Sequence, residues 1–244
     1  MKRKYADLHL CPDLGNNEQV TRMIRKASEL GYRLIAIPLP QNFPEEKIRK
    51  LQNICKENKI DFTPRVDLKP RTPNELIRTL RKLRRRFEII AVVCESKQVA
   101  RQAAKDRRVD LLNFPGSNRR KRFFDKAEAE LASNALGCLE IDIKPLLTLE
   151  GPIRIRLLSS LRREVAIAED FHVPIVISSG ASNELLMRKP RETAALTSLF
   201  DLDKSSAINA VSKNQLAIVK RNREKLSPNF VAPGIRLIRR GKDC

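Results

Sequence analysis

Three side chains that could perform chemistry alternate with apolar residues near the start of the chain. Asp7, His9 and Cys11 are separated by single leucines, and Pro12 follows at once. Residues two apart share one face of a β-strand, so this spacing predicts a carboxylate, an imidazole and a thiol in one row. Pro12 cannot donate a ladder hydrogen bond and ends the strand. Because ligand and catalytic groups of parallel α/β folds lie at the carboxyl ends of strands, this row is the first candidate site.

A metal site would need further ligands from other parts of the chain. The candidates are Glu95, Glu140, Asp142 and His172. Hydrolytic metal sites use several neutral imidazoles and carboxylates, each held by a neighbouring group, and this sequence has only 2 histidines. A buried Asp–His pair bonded to backbone explains Asp7 and His9 equally well, and His172 suits the end of a helix. We therefore predict that the protein itself binds no metal ion or other cofactor.

Nucleophilic catalysis has little support in the sequence. Ser178 and Ser179 precede Gly180 at the end of a predicted strand, but no Gly-x-Ser-x-Gly elbow surrounds them. A strand end that turns tightly at the glycine explains the same residues. We predict no catalytic residue in this chain.

The charge of the chain points to a polyanionic partner. Its 49 Lys and Arg residues exceed its 29 Asp and Glu residues, for a net charge of +20 and a pI near 10.2. Any single charge run can be a solvated face, but several runs with few compensating acids suggest a surface that faces phosphates. The cations that we expect to contact nucleic acid are Arg81, Lys82, Arg84, Arg85, Arg86, Arg107, Arg108, Arg119, Arg120, Lys121, Arg122, Arg154 and Arg156.

The hydrophobic pattern predicts seven strands alternating with helices. Such a repeat forms a parallel sheet, and the absence of a Gly-rich dinucleotide turn favours a barrel over an open sheet. No eighth strand is recognisable. We therefore predict an α/β fold, a distorted TIM-like barrel of about seven parallel strands with a helical closing segment. Residues 1–226 would form this single domain, and residues 227–244 a basic C-terminal tail.

Cysteine usage and hydropathy indicate the compartment. The 5 cysteines form no C-x-x-C pair and are odd in number, so neither a zinc knuckle nor a disulfide framework is indicated. No run of about 18 apolar residues is present, and the N-terminus lacks the apolar core of a signal peptide. We expect a cytoplasmic protein with no membrane partner.

Four motifs in chain order resemble a known family. They are Asp7–Leu10, Leu139–Ile141, Val176–Ala181 and Ala207–Ser212. Together they resemble the barrel-shaped protein subunit of archaeal and eukaryotic ribonuclease P. The resemblance implies that an RNA performs the Mg²⁺-dependent cleavage of 5′ leaders from precursor tRNA. The protein would then bind and stabilise the ribonuclease P RNA together with a second small protein subunit.

The resemblance also bears on the first strand. That subunit is similar in fold to the polymerase and histidinol phosphatase hydrolases, whose first strand carries a His-x-His metal pair. Here the second of those positions is Cys11, so Asp7, His9 and Cys11 would be a vestigial site. Two alternatives stay open: a metal-dependent phosphoesterase that retains the barrel site, and a structural RNA-binding barrel of another ribonucleoprotein.

Overall fold

The computed structural model describes residues 3–115, 122–232 and 235–237. Arg119, Arg120 and Lys121 lie outside these residues. The strands are β1 (Tyr5–Asp7), β2 (Tyr32–Pro38), β3 (Asp61–Leu68), β4 (Ile89–Val93), β5 (Leu111–Asn113), β6 (Cys138–Asp142), β7 (Ile175–Ser178), β8 (Phe230–Ala232) and β9 (Ile235–Arg236). The helices are α1 (Asn17–Leu30), α2 (Glu45–Glu57), α3 (Pro73–Leu83), α4 (Lys97–Lys105), α5 (Lys126–Ala135), α6 (Lys144–Thr148), α7 (Gly151–Asp170), α8 (Pro190–Leu196), α9 (Lys204–Ala210) and α10 (Lys213–Leu226).

The first seven strands form one parallel sheet in chain order, β1 to β7, with helices between successive strands. Their outward side chains pack against the helices in a large apolar cluster that includes Ile35, Val66 and Leu139. A smaller cluster inside the barrel contains the inward residues Ala36 and Leu111. The predicted seven-stranded TIM-like architecture is confirmed.

Local sequence signals determine where the outer helices begin and end. The Asn16 side chain accepts a hydrogen bond from the Gln19 backbone N–H at the start of α1, and Ser96 caps α4 in the same way through Val99. Gly31 ends α1 at φ +97°, a left-handed conformation that costs glycine least. These short connections return the chain to the next strand.

The gap between β1 and β7 is bridged by helical residues, as the sequence predicted. The Ala6 N–H donates to the Val211 carbonyl at 3.3 Å on the β1 side. On the β7 side, the amides of Asn214 and Gln215 donate to the carbonyls of Ile175 and Ile177 at 2.8 and 2.5 Å. The end of α9 and the start of α10 thus satisfy strand-edge groups that an eighth strand would have paired.

The rest of α10 covers the N-terminal end of the barrel. Ile218 and Val219 pack against the inner apolar cluster at this N-terminal end. Beside them, the buried Asp110 carboxylate accepts hydrogen bonds from Arg84, Arg221, Asn222 and the backbone N–H of Ile90, at 2.6 to 3.1 Å. This carboxylate therefore ties α10 to α3 and to two strands.

The segment predicted as a basic tail begins where α10 ends. Within it, β8 and β9 form a two-stranded antiparallel hairpin. Among the described residues, none of the helices combines the length and apolar character needed to cross a membrane.

We expect Asp110→Ala to lower the free energy of unfolding by about 3 kcal/mol, because it removes a buried carboxylate that pairs two arginines and accepts from Asn222 and a buried backbone N–H. Urea unfolding followed by circular dichroism measures this. Asp106→Ala in the preceding turn is the matched control and should cost about 1 kcal/mol or less, since among the described residues Asp106 has a salt bridge with one half-buried arginine, Arg108, at 2.6 Å. Equal losses from both variants would contradict the role given to Asp110.

Candidate functional site

The carboxyl ends of two strands on opposite sides of the barrel carry charged residues that point inward. Arg65 and Asp67 lie on β3, and Glu140 and Asp142 lie on β6, while the residues between them pack outward. Residues two apart in a strand share a face, so the two members of each pair project to the same side of the sheet. The inward side chains at the carboxyl end of the barrel are thus charged, whereas those towards the N-terminal end are apolar.

Arg65 lies at the centre of this group and has no exposed surface. Its two terminal nitrogens donate to the two Glu140 oxygens at 2.6 and 2.7 Å, and its Nε donates to Asp67 at 2.6 Å. A further bond from Nη1 reaches the Leu8 carbonyl at 2.7 Å. The guanidinium thus binds the Glu140 carboxylate through two parallel hydrogen bonds, and this bidentate geometry is the strongest for a buried ion pair.

The remaining bonds of Glu140 and Asp142 come from neighbouring strands. Ser178 on β7 donates to Glu140 Oε1 at 2.8 Å. The Asn113 amide on β5 lies 3.0 Å from Glu140 Oε2 and 3.0 Å from Asp142 Oδ2. Each Glu140 oxygen therefore accepts two hydrogen bonds, which is what a buried carboxylate needs.

His9 lies at the outer side of this network and contacts two of its carboxylates. Its Nε2 lies 3.0 Å from Asp67 and its Nδ1 lies 2.8 Å from Asp142. Burial and the Arg65 charge lower the pKa of His9, but the two carboxylates outweigh them and raise it well above its usual value. Burial also opposes ionisation of Asp67 and Asp142, yet the pKa values of both carboxyls are lowered, through Arg65 and His9 for Asp67 and through His9 above all for Asp142. The imidazole is thus a cation that donates from both nitrogens.

The expectation that Asp7, His9 and Cys11 share one face is wrong. The strand ends at Asp7 and the chain bends at Leu8, so only His9 enters the barrel mouth. Asp7 instead accepts hydrogen bonds from the backbone N–H groups of Ser179 and His9, at 3.0 and 3.2 Å, and burial raises its pKa. The Cys11 backbone N–H donates to the Ala181 carbonyl, and its thiol lies outside the network, 4.0 Å from the His9 carbonyl.

Gly180 allows the chain after β7 to pass beside the network. Its φ is +61°, and a Cβ there would lie 3.1 Å from the Asp142 Cβ. Its N–H donates to the His9 carbonyl at 2.9 Å. The serine–glycine segment is therefore a structural turn, and Ser178 acts as a donor to Glu140.

The residues of the barrel mouth do not fit a divalent metal ion. Ligand atoms of His9, Glu140 and Asp142 lie within 4.8 Å of one another, which is a suitable spacing. However, a protonated imidazole has no free lone pair, and Arg65 already binds both Glu140 oxygens. Of the other suggested ligands, Glu95 is exposed after β4, and His172 is exposed after α7.

Arg65 was not among the residues predicted to form a site. The available signal was an arginine in the middle of an otherwise apolar strand segment, Phe62–Leu68. Arginine is almost never fully buried unless it is paired. Glu140 and Asp142, which have the same spacing as Arg65 and Asp67, were candidate partners by type, but their distance from Arg65 was not predictable from the sequence.

The predicted cationic residues divide into engaged and free groups. Arg84 and Arg108 are half-buried and pair with Asp110 and Asp106 at 2.6 Å. Arg122 is buried, with its guanidinium on the Glu164 carboxylate and the Phe114 carbonyl, so we leave it out of any nucleic-acid surface. The Arg86 side chain donates to the Phe43 carbonyl.

The exposed members lie in two places. Arg154 and Arg156 are exposed in the first turns of α7, at the carboxyl end of the barrel. At the opposite end, helices α2, α3 and α4 finish and the following strands begin. We call the exposed cations gathered there the basic end: Lys56, Lys59, Arg81, Lys82, Arg85, Arg107, Lys220 and Lys225.

Three acidic residues near the basic end bind arginines of the closing helix or of α3. Arg223 binds Asp61 and Glu88, and Arg84 and Arg221 bind Asp110. Within the described residues, Arg81, Lys82, Arg85 and Arg107 form no salt bridge. Their charge is therefore directed to solvent.

The concentration of positive charge is high enough to affect a lysine. Partial burial and then the charges of Arg221, Arg84 and Arg107 lower the pKa of Lys225, against the opposing effect of Asp110. Lys4, Arg33, Lys56 and Lys59 extend the same charge along a neighbouring groove of about 640 Å³. Such a surface attracts phosphates strongly at low ionic strength.

Comparison with known proteins places these features in context. The family model described as RNase P subunit p30 matches residues 4–227. Ribonuclease P protein component 3 of Methanosarcina barkeri is 31% identical over 247 residues and covers 98% of both chains. The component 3 protein of Methanothermobacter thermautotrophicus is 24% identical, with 96% of each chain covered.

Solved structures show the same fold. A chain in the cryo-EM structure of archaeal ribonuclease P with mature tRNA has a TM-score of 0.84 at 23% identity, with 97% of this chain and 99% of that chain covered. A putative prolidase from Bifidobacterium longum has a TM-score of 0.58 at 10% identity, with 90% and 70% covered.

We expect the His9 ring to stay doubly protonated from pH 6 to pH 8, because Asp67 and Asp142 hold its proton. Since its pKa is raised on folding, its contribution to stability is complete below about pH 6.5 and is lost only as pH rises through the higher folded-state pKa. Ring ¹⁵N shifts across this range measure the protonation. Asp142→Asn should lower the His9 pKa, and an inflection near pH 6.5 in the unmutated protein would contradict the assignment.

Proposed function

The chain belongs to the RNase P subunit p30 family and is a protein component of ribonuclease P, in which we propose that it binds and stabilises the catalytic RNA. The enzyme removes 5′ leaders from precursor tRNA, and in this proposal the RNA performs the cleavage with Mg²⁺. The observation that carries the proposal is the basic end, where free cations from three helices and the closing helix lie together.

The physical role follows from the charge of a folded RNA. A large RNA compacts against repulsion between its own phosphates, and fixed cations reduce that repulsion more effectively than mobile ones because they are already positioned. Each phosphate that a Lys or Arg neutralises also releases condensed counterions, which favours binding at low salt. A closed barrel supplies a rigid mount for these cations. We expect the complex to need less Mg²⁺ than the RNA alone.

We expect the contacts to be with the RNA backbone. The chain has no Trp and its aromatic content is 5%, so base stacking would contribute little. Arg81, Lys82, Arg85 and Arg107 are the residues that we propose for these contacts, with Arg154, Arg156, Arg119, Arg120 and Lys121 as a second set. Precursor tRNA and a second small protein subunit would be its other partners, in the cytoplasm.

The chemistry of the barrel mouth argues against the phosphoesterase alternative. Its imidazole is protonated and its central carboxylate is bound by Arg65, so neither can hold a metal-bound nucleophile. The purified chain should not hydrolyse a generic phosphodiester in the presence of Mn²⁺. Turnover that His9→Ala abolished would overturn this assignment.

Replacing Arg81, Lys82, Arg85 and Arg107 together by Ala should weaken binding to the ribonuclease P RNA. If all four contact phosphates, the slope of log affinity against log salt should fall by roughly 3, because each contact contributes about 0.7 to 0.9. Filter binding or fluorescence anisotropy across salt concentrations measures both quantities. Leader cleavage by RNA reconstituted with this variant and its partner subunit should then require more Mg²⁺.

The matched control removes the same charge from the outer surfaces of α1 and α2. Arg25, Lys47, Arg49 and Lys50 are all exposed and lie away from the basic end. Their replacement by Ala should change the salt slope by less than one unit. Equal losses from the two sets would show that net charge alone attracts the RNA and would refute a defined interface at the basic end.

A further inference from the structure

We propose that the Arg65 guanidinium is a built-in counter-cation, occupying the place where this barrel mouth would otherwise hold a divalent metal ion. Without it, Glu140, Asp142 and His9, whose ring proton the metal ion would displace, would form a site for one such ion. The proposal concerns the interior of the barrel and does not depend on the RNA-binding role. Two observations motivate it. The three side chains have a spacing suitable for metal ligands, yet Arg65 already binds both oxygens of Glu140, the central one of the three.

The geometry supports the exchange of one cation for another. Ligand atoms of His9, Glu140 and Asp142 lie within 4.8 Å of one another, and Arg65 approaches Glu140 to 2.6 Å. Asp67, which bonds both Arg65 and His9, supplies a further carboxylate at the same point. These are hard oxygen and imidazole donors, which suit Mn²⁺ and related ions.

Charge shows why some cation is needed there. Three carboxylates, those of Asp67, Glu140 and Asp142, meet where Arg65 and Glu140 have no exposed side-chain surface. Unpaired buried charge of this kind is strongly unfavourable, so the fold requires compensation from within or from solvent. The Arg65 guanidinium provides this compensating charge. Because it is part of the polypeptide, it cannot be removed by a chelator or by a phosphate-rich partner.

The test compares thermal unfolding of the unmutated protein and Arg65→Ala, with 1 mM Mn²⁺ or with EDTA. The unmutated protein should unfold at the same temperature under both conditions. Arg65→Ala should unfold roughly 10 °C lower in EDTA, since it leaves buried carboxylates uncompensated. Mn²⁺ should restore about half of that loss or more, and the EPR signal of free Mn²⁺ should decrease by one ion bound per chain.

Two control variants separate a metal site from general stabilisation. Arg122→Ala removes another buried arginine, but one that faces the single carboxylate of Glu164, so Mn²⁺ should not restore its stability. The double variant Arg65→Ala with His9→Ala lacks one proposed ligand and should bind Mn²⁺ at least tenfold more weakly than Arg65→Ala.

A milder variant covers the case in which Arg65→Ala does not fold in EDTA. Arg65→Gln keeps an amide donor towards Glu140 while removing the charge, and it should show a smaller Mn²⁺-dependent rise in unfolding temperature. Recovery of folded Arg65→Ala only with Mn²⁺ would also support the proposal. It is overturned if neither variant responds to Mn²⁺, or if the unmutated protein binds Mn²⁺ as tightly as they do.

Discussion

The two-pronged ion pair between Arg65 and Glu140 is the interaction on which the interior of the barrel depends. It spans the barrel from β3 to β6, and every other polar group of the mouth is arranged around it. Removing both charges from water is costly, and only complete hydrogen bonding on both partners offsets that cost. Ser178 and Asn113 supply the additional donors that Glu140 requires. The hydrogen-bonding groups of Arg65 and Glu140 in the barrel mouth are therefore already bound to one another and to neighbouring side chains.

The same principle operates at the opposite end with a different consequence. Asp110, Glu88 and Asp61 are bound by arginines that hold the closing helix to the strands. At both ends of the barrel, buried or half-buried acidic side chains are therefore bound by internal arginines. The excess positive charge of the sequence then lies on the surface, where it is available to a polyanion.

These two features together fit a protein component of ribonuclease P in which the described residues of the barrel mouth are engaged with one another. The side chain of Arg65 holds the central position of the barrel mouth. The property of the barrel that serves RNA binding in our proposal is its rigidity. Rigid mounting reduces the entropy lost when cations are ordered against RNA, so affinity per contact is higher than for a flexible basic segment.

The sequence by itself determined the alternation of strands and helices, the pairing of faces in β3 and β6, and the helical closure, because these depend on local periodicity and capping. It also determined the net charge, and hence the class of partner. Only the tertiary structure decided that His9 separates from Asp7 and Cys11, since a single bend at Leu8 changes which side of the sheet each residue faces. It also decided that Arg122 is buried and that Arg65 meets Glu140. Such pairs join residues far apart in the chain, and their distance is set by how the barrel closes, which no local pattern encodes.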